Sequence, residues 1–194
     1  MGATVTGIDA VEKNIKIARL HAFTVLSACN SFMLLCSRLE LGFYDIPSST
    51  EFGSTTSTIE YCCTTAEKLV EEQRKFDTLI ALEVIEHVAD AAEFCKSLSA
   101  LTAHEGATVV STINRSMRSY ATAIVAAEYL LQWLPKGTHQ WSSFLTPEEL
   151  TKILKCAGVD VKEMAGFVYN PLTGSWSLLD DISVNFIAYG TKEK

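Results

Sequence analysis

Phe76-Asp77-Thr78-Leu79-Ile80-Ala81-Leu82-Glu83-Val84-Ile85-Glu86-His87-Val88 runs a string of apolar residues directly into two carboxylates and a histidine. Thr78 to Leu82 is almost wholly apolar, the pattern of a strand covered on both faces. Polar chemistry then gathers at its carboxyl end, where open α/β sheets bind ligands. If a helix starts there, Glu83, Glu86 and His87 are spaced i, i+3, i+4 and share one face. The stretch predicts a central strand with a site at its end.

Outward from this strand the chain alternates. Ala3 to Ile8 reads as a strand ending at Asp9, and Val11 to His21 follows at helical period with Ile15, Ile17 and Ala18 toward a core. Thr58 to Cys63 is a short strand and Ala66 to Gln73 a helical turn. Downstream, Ala91 to Leu101 reads as a helix with Phe94, Leu98 and Leu101 on one side, broken by Gly106. Ala107 to Ile113 is a strand, and Ser116 to Leu134 a long apolar helix stopped at Pro135-Lys136-Gly137. Thr146-Pro147-Glu148-Glu149 combines a cap, a first-turn proline and a capping-box glutamate; that helix ends at Gly158. Val159 to Val168 and Val184 to Tyr189 read as two strands joined by a loop through Asn170-Pro171 and Gly174. Alternation implies an α/β, doubly wound, mostly parallel sheet, and the closing pair an antiparallel edge. Ala22 to Ser54 is apolar and rich in Cys and Ser, without sustained period, and finds no place in this scheme.

A length of 194 residues fits a single domain. The net charge of −7 argues against a nucleic-acid partner. Six cysteines show no zinc-ribbon spacing: Cys62-Cys63 is adjacent, and the rest are scattered at 29, 36, 95 and 156. They read as reduced thiols rather than a disulfide frame. Met1 to Thr6 already reads as strand, so no signal peptide is expected. The uncharged run Ala22 to Ser37 falls short of the ~20 apolar residues of a spanning helix.

The chain resembles the ubiquinone-biosynthesis O-methyltransferases, class I S-adenosylmethionine (SAM)-dependent methyltransferases. The matching residues are Val5-Thr6-Gly7-Ile8-Asp9, Leu82-Glu83-Val84-Ile85-Glu86-His87-Val88, Ser111-Thr112-Ile113-Asn114-Arg115 and Tyr169-Asn170-Pro171. The most specific runs are Ala127-Glu128-Tyr129 to Lys136-Gly137-Thr138-His139-Gln140-Trp141 and Gly166-Phe167-Val168-Tyr169-Asn170-Pro171-Leu172-Thr173-Gly174. The resemblance covers Gly2 to about Ala22 and Thr55 to Lys192, and looks most like the eukaryotic, plant mitochondrial branch. It implies a Rossmann-like methyltransferase sheet. Two features depart from it. The family's first strand and Gly-x-Gly-x-Gly loop have no counterpart in the 194 residues. Residues 22–54 read as an insertion, whose lack of period fits a retained intron or gene-model error better than an evolved loop. A spliced message lacking its codons is the test.

Residue by residue, each functional reading has a structural competitor. Asp9 ends a strand before a helix, where an acid accepts from ribose hydroxyls or caps the helix; the resemblance assigns it the SAM ribose. Glu67 lies where the family places adenine contacts, and is otherwise a first-turn helix acid. Leu82 presses on the adenosyl group by resemblance, or simply packs. Glu83, Glu86 and His87 are implied to hold a divalent cation, usually Mg2+, that would align a catechol phenolate. Two carboxylates suit Mg2+ while a histidine is an unusual ligand for it, which Mn2+ or Zn2+ would accept more readily; hydrogen bonding that fixes the cofactor loop is the alternative. His87 or His139 would serve as general base. Residues 119–134, with the single charge Glu128, suit peripheral contact with an anionic membrane or a polyprenyl tunnel, or a buried helix. By resemblance the substrates are polyprenyl-dihydroxybenzoate and demethylubiquinol, the location is the matrix side of the mitochondrial inner membrane, and a biosynthetic complex is the partner. The competing expectation is a catalytically inactive fragment or non-catalytic subunit.

Overall fold

The structure, a computed structural model, describes residues 4–21, 32–37, 59–121, 140–170 and 175–192. Eight strands form one sheet in the order β3-β1-β2-β4-β5-β8-β6-β7. They are β1 Thr4–Asp9, β2 Phe32–Ser37, β3 Ile59–Cys63, β4 Phe76–Leu82, β5 Thr102–Ile113, β6 Val159–Asn170, β7 Ser175–Leu179 and β8 Asn185–Lys192. The helices are α1 Glu12–His21, α2 Ala66–Glu71, α3 Ala91–Leu101, α4 Met117–Ser119 and α5 Pro147–Cys156.

The apolar run that defined β4 lies between β2 and β5, with Leu79 and Ala81 fully buried. A strand paired on both sides and covered above and below has no polar face to show. Phe94, Leu98 and Leu101 line the buried side of α3 as the helical period predicts, and they join Ala66 and Leu69 of α2 and Leu150 and Leu154 of α5 in one core. Thr146 accepts from the Glu149 amide while the Glu149 carboxylate accepts from the Thr146 amide, so the capping box forms as read.

Several local readings are revised by tertiary packing. Ile15 is fully buried, but Ile17 is exposed, because two positions turn it about 200° around the helix axis. The strand expected from Ala107 begins at Thr102, directly after α3. Gly106 sits inside it, where a Cβ would meet the Asp77 carbonyl and the Thr102 methyl at 2.8 Å each. The parallel pairs are β1 with β3 and β4 with β5, while β1–β2, β2–β4, β5–β8, β6–β8 and β6–β7 are antiparallel. The Rossmann-like α/β architecture is present as a mixed sheet. The C-terminal strands are antiparallel as expected, with β8 inserted between β5 and β6 and the extra strand β7 at the edge. Every residue of β7 is exposed, so it has no buried face for a sequence pattern to register.

The largest revision concerns residues 22–54. Six of them, Phe32–Ser37, form β2, which fills the slot between β1 and β4 and runs against both. A strand paired along both sides gains its place from long-range hydrogen bonds, which local periodicity does not report.

Candidate active site

Because β2 opposes both neighbours, β1 and β4 point the same way, and the carboxyl ends of β1, β3, β4 and β5 share one sheet edge. That edge collects Asp9, the start of α2, the 83–87 turn and the segment after Ile113. β2 begins there as well, with Phe32 opposite Leu82 and Met33 opposite Ile8.

Asp9 binds its own chain through both oxygens. Its Oδ1 accepts from the Val11 amide at 2.7 Å and its Oδ2 from the Asn14 side-chain amide at 3.0 Å. This is the helix-starting role; each oxygen keeps a further lone pair, so a second hydroxyl ligand is chemically compatible. Glu67 is an exposed residue in the first turn of α2, which Thr65 caps. Leu82 is half-buried at the end of β4, opposite Ser111.

Beyond Leu82 the chain does not enter an α-helix. Glu83 adopts a left-handed conformation with φ 51°, and only a single 3-10 turn, Ile85–His87, follows. Glu83, Glu86 and His87 therefore do not form the helical face that i, i+3, i+4 spacing suggests. The Glu83 amide is held by Ser111, whose carbonyl and hydroxyl accept it at 3.2 and 3.1 Å. The Ser111 hydroxyl in turn donates to Glu83 Oε1 at 2.8 Å. Glu86 is only 7 % exposed and accepts from the Thr112 hydroxyl at 3.1 Å. Burial pushes its carboxyl up from the usual range, opposed by hydrogen bonds from its own amide, from Thr112 and from the Glu83 side chain. His87, by contrast, is exposed.

As a cation site this set does not fit. Among the described residues no three His, Cys, Asp or Glu side chains converge to hold a metal ion. Glu86 is 7 % exposed and accepts from the fully buried Thr112, whereas Mg2+ keeps several of its waters and needs room for them.

Ser111 and Thr112 were not singled out as functional in the sequence. Their signal was two adjacent hydroxyls near the end of an otherwise apolar strand. Past Ile113, polar side chains tie this edge to the β7–β8 turn. Asn114 donates to the Ile182 carbonyl, Ser116 to the Ser183 carbonyl, and Arg118 pairs with Asp181. Arg115 pairs with the capping-box residue Glu149. Met117 is 76 % exposed, and Tyr120 meets Trp141 edge-to-face at 6.4 Å, both rings partly exposed. Of 119–134 only 119–121 are described, with Ser119 buried and Tyr120 and Ala121 exposed; His139 lies outside the described residues. Among the described residues no helix is long and apolar enough to cross a membrane.

The sheet is a mixed α/β sheet with an acid ending β1, and the family profile described as a methyltransferase domain matches residues 1–163, so the chain is a methyltransferase-type domain. The chain is 63 % identical over 194 residues to the Arabidopsis thaliana mitochondrial ubiquinone biosynthesis O-methyltransferase, covering 100 % of this chain and 52 % of that protein. It is 38 % identical over 195 residues to the Cereibacter sphaeroides ubiquinone biosynthesis O-methyltransferase, covering 100 % of this chain and 67 % of that one. The chain belongs to the ubiquinone biosynthesis O-methyltransferase family, and spans about half the length of its Arabidopsis relative. A SAM-dependent methyltransferase from Methanosarcina mazei shares the fold, with TM-score 0.56 and 13 % identity over 96 % of this chain and 81 % of that one.

Proposed function

We propose that this chain is a SAM-dependent O-methyltransferase acting on a polyprenylated catechol, polyprenyl-dihydroxybenzoate and demethylubiquinol, in ubiquinone biosynthesis. The observation that carries this reading is the 63 % identity to a protein of that name along the whole chain. The shared carboxyl edge of β1 and β4 supports it, because the donor set there suits a nucleoside. Asp9 offers acceptor oxygens to a ribose, Leu82 an apolar surface to the adenosyl group, and Glu67 an acceptor for adenine.

SAM, when bound, supplies a methyl group activated on a sulfonium. The reaction is an in-line displacement: a catechol oxygen bonds to the methyl carbon as the carbon–sulfur bond breaks, and S-adenosylhomocysteine leaves. The hydroxyl proton passes to a base, for which His87, exposed at this edge, and His139 are the candidates. The protein's work is chiefly alignment of the two reactants. We also assign 1–194 to a single domain and the 119–134 segment to peripheral membrane contact, supported by the exposed Met117, Tyr120 and Trp141 beside it. We extend the proposal to a mitochondrial location, which the relative's name supports, and with it to the matrix side of the inner membrane and a biosynthetic complex.

Calorimetric titration of SAM and S-adenosylhomocysteine, followed by methylation of a short-prenyl catechol, tests the reading. Micromolar binding with methyl transfer is expected. Absence of binding would favour the inactive-fragment alternative, for which β2 in the slot between β1 and β4 is the relevant observation.

A further inference from the structure

We propose that Glu83 and Glu86 form a hydrogen-bonded clasp that holds the turn after β4 onto the end of β5, and that the chain binds no divalent cation through Glu83, Glu86 and His87. The part of this concerning cofactor alignment rests on the methyltransferase reading above; the clasp itself does not.

The first ground is backbone geometry. Glu83 is a non-glycine residue at φ 51°, a strained conformation that persists only where its surroundings enforce it. Ser111 does so at two points, accepting from the Glu83 amide and donating to its carboxylate. Removing the carboxylate leaves the amide bond but frees the side chain that keeps the turn closed.

The second ground is where the partner carboxyl goes. One residue along β5, Thr112 is fully buried and donates to Glu86, which is itself 7 % exposed. Consecutive residues of one strand thus hold the two acids of one turn. Each acid is thereby engaged by the strand itself, Glu83 by the Ser111 hydroxyl at 2.8 Å and Glu86 by the Thr112 hydroxyl at 3.1 Å.

The third ground is ligand chemistry. Octahedral Mg2+ coordination at about 2.0–2.1 Å needs converging oxygens and space for waters. Here Glu86 is 7 % exposed and engaged by fully buried Thr112, Glu83 is engaged by Ser111, and His87 is exposed at the end of the turn. Among the described residues no three such side chains converge.

The consequence is positional. Leu82 and Glu83 are where β4 leaves the sheet, so the clasp sets the backbone against which a nucleoside would lie. Glu83 and Glu86 are positioning residues in this account.

Three measurements on the purified chain test it. In a titration with Mn2+ followed by electron paramagnetic resonance, we expect either no stoichiometric binding below about 1 mM, far weaker than a sensor site, or binding unchanged in Glu83→Gln and Glu86→Gln. One Mn2+ bound per chain and lost in both variants overturns the proposal. In thermal melts, Glu86→Gln is expected to retain the parent midpoint, because the amide carbonyl still accepts from the Thr112 hydroxyl. Glu86→Ala and Ser111→Ala should each lower it by roughly 3–6 °C, as loss of a buried hydrogen bond does in a domain of this size. A midpoint equally low in Glu86→Gln and Glu86→Ala overturns the clasp. In S-adenosylhomocysteine titrations, Glu86→Ala should weaken binding about tenfold and Glu86→Gln restore it, for a ~1.4 kcal/mol change in alignment. A parent chain that binds no S-adenosylhomocysteine counts against the methyltransferase reading alone, since the Mn2+ and melting results still decide the clasp.

Discussion

Asp9 starts α1 in the structure and is proposed to hold the SAM ribose, and paired substitutions divide the two roles. In the structure its Oδ1 takes the Val11 amide at 2.7 Å and its Oδ2 the Asn14 side chain at 3.0 Å, so it starts α1 whatever else it does. Asp9→Ala deletes both bonds at a partly exposed site where water replaces them. The expected loss is about 1 kcal/mol, the usual cost of removing a helix-starting acceptor. In a domain of this size that lowers the melting midpoint by roughly 2–4 °C. Asp9→Asn keeps an acceptor for the Val11 amide and should melt within about a degree of the parent. Ribose binding separates the variants differently. A carboxylate holding ribose hydroxyls makes charge-assisted bonds of about 1.5–3 kcal/mol, and Asn forfeits the charge as Ala forfeits the group. Both should raise the Kd for S-adenosylhomocysteine by about 10–100-fold. Calorimetric titration beside differential scanning fluorimetry reads both quantities on one preparation. If Asp9→Asn binds as tightly as the parent, the ribose role is refuted. If Asp9→Ala melts like the parent, the helix-starting role is.

Three further outcomes follow from the packing. Leu98 is fully buried at the centre of the core, so Leu98→Ala should cost about 2–5 kcal/mol in chemical denaturation. Cys95 is fully buried, and burial pushes its thiol up to about 12, whereas Cys63 and Cys156 are exposed. Alkylation of the native protein at neutral pH, mapped by mass spectrometry, should therefore mark Cys63 and Cys156 and spare Cys95 until denaturant is added. Hydrogen bonding from the Thr146 amide, then pairing with Arg115, holds the Glu149 carboxyl below the ordinary carboxylate range. A carboxyl whose folded pKa is depressed stabilises the fold above its unfolded value of 4.5, and that share is lost as pH falls through the folded value. Melting midpoints taken from pH 6 downward, roughly the span over which carboxylates protonate, should fall less steeply in Glu149→Gln than in the parent. Identical slopes would remove Glu149 from the acid-sensitive groups.

What the chain determined by itself is local. The unbroken apolar run Thr78 to Leu82, the 3.6-residue spacing of Phe94, Leu98 and Leu101, and the Thr146-Pro147-Glu148-Glu149 start each appear as read, because each rests on residues within a turn or two of one another. That β4 ends in acids at the sheet's carboxyl edge was legible for the same reason: an apolar strand that runs into carboxylates is a pattern within thirteen residues. Tertiary structure alone decided the rest. Local period said nothing of β2, whose place between β1 and β4 is set by pairing with residues far along the chain. The exposed β7 had no buried side to betray it. Helical spacing placed Glu83, Glu86 and His87 on one face, but Glu83 is left-handed and only a 3-10 turn follows, so no shared helical face forms. Their partners, Ser111 and Thr112, lie 28 and 26 residues onward. Hydrogen bonds across a sheet depend on which strands are neighbours and in what register, and that choice is made by the whole chain burying its apolar surface at once.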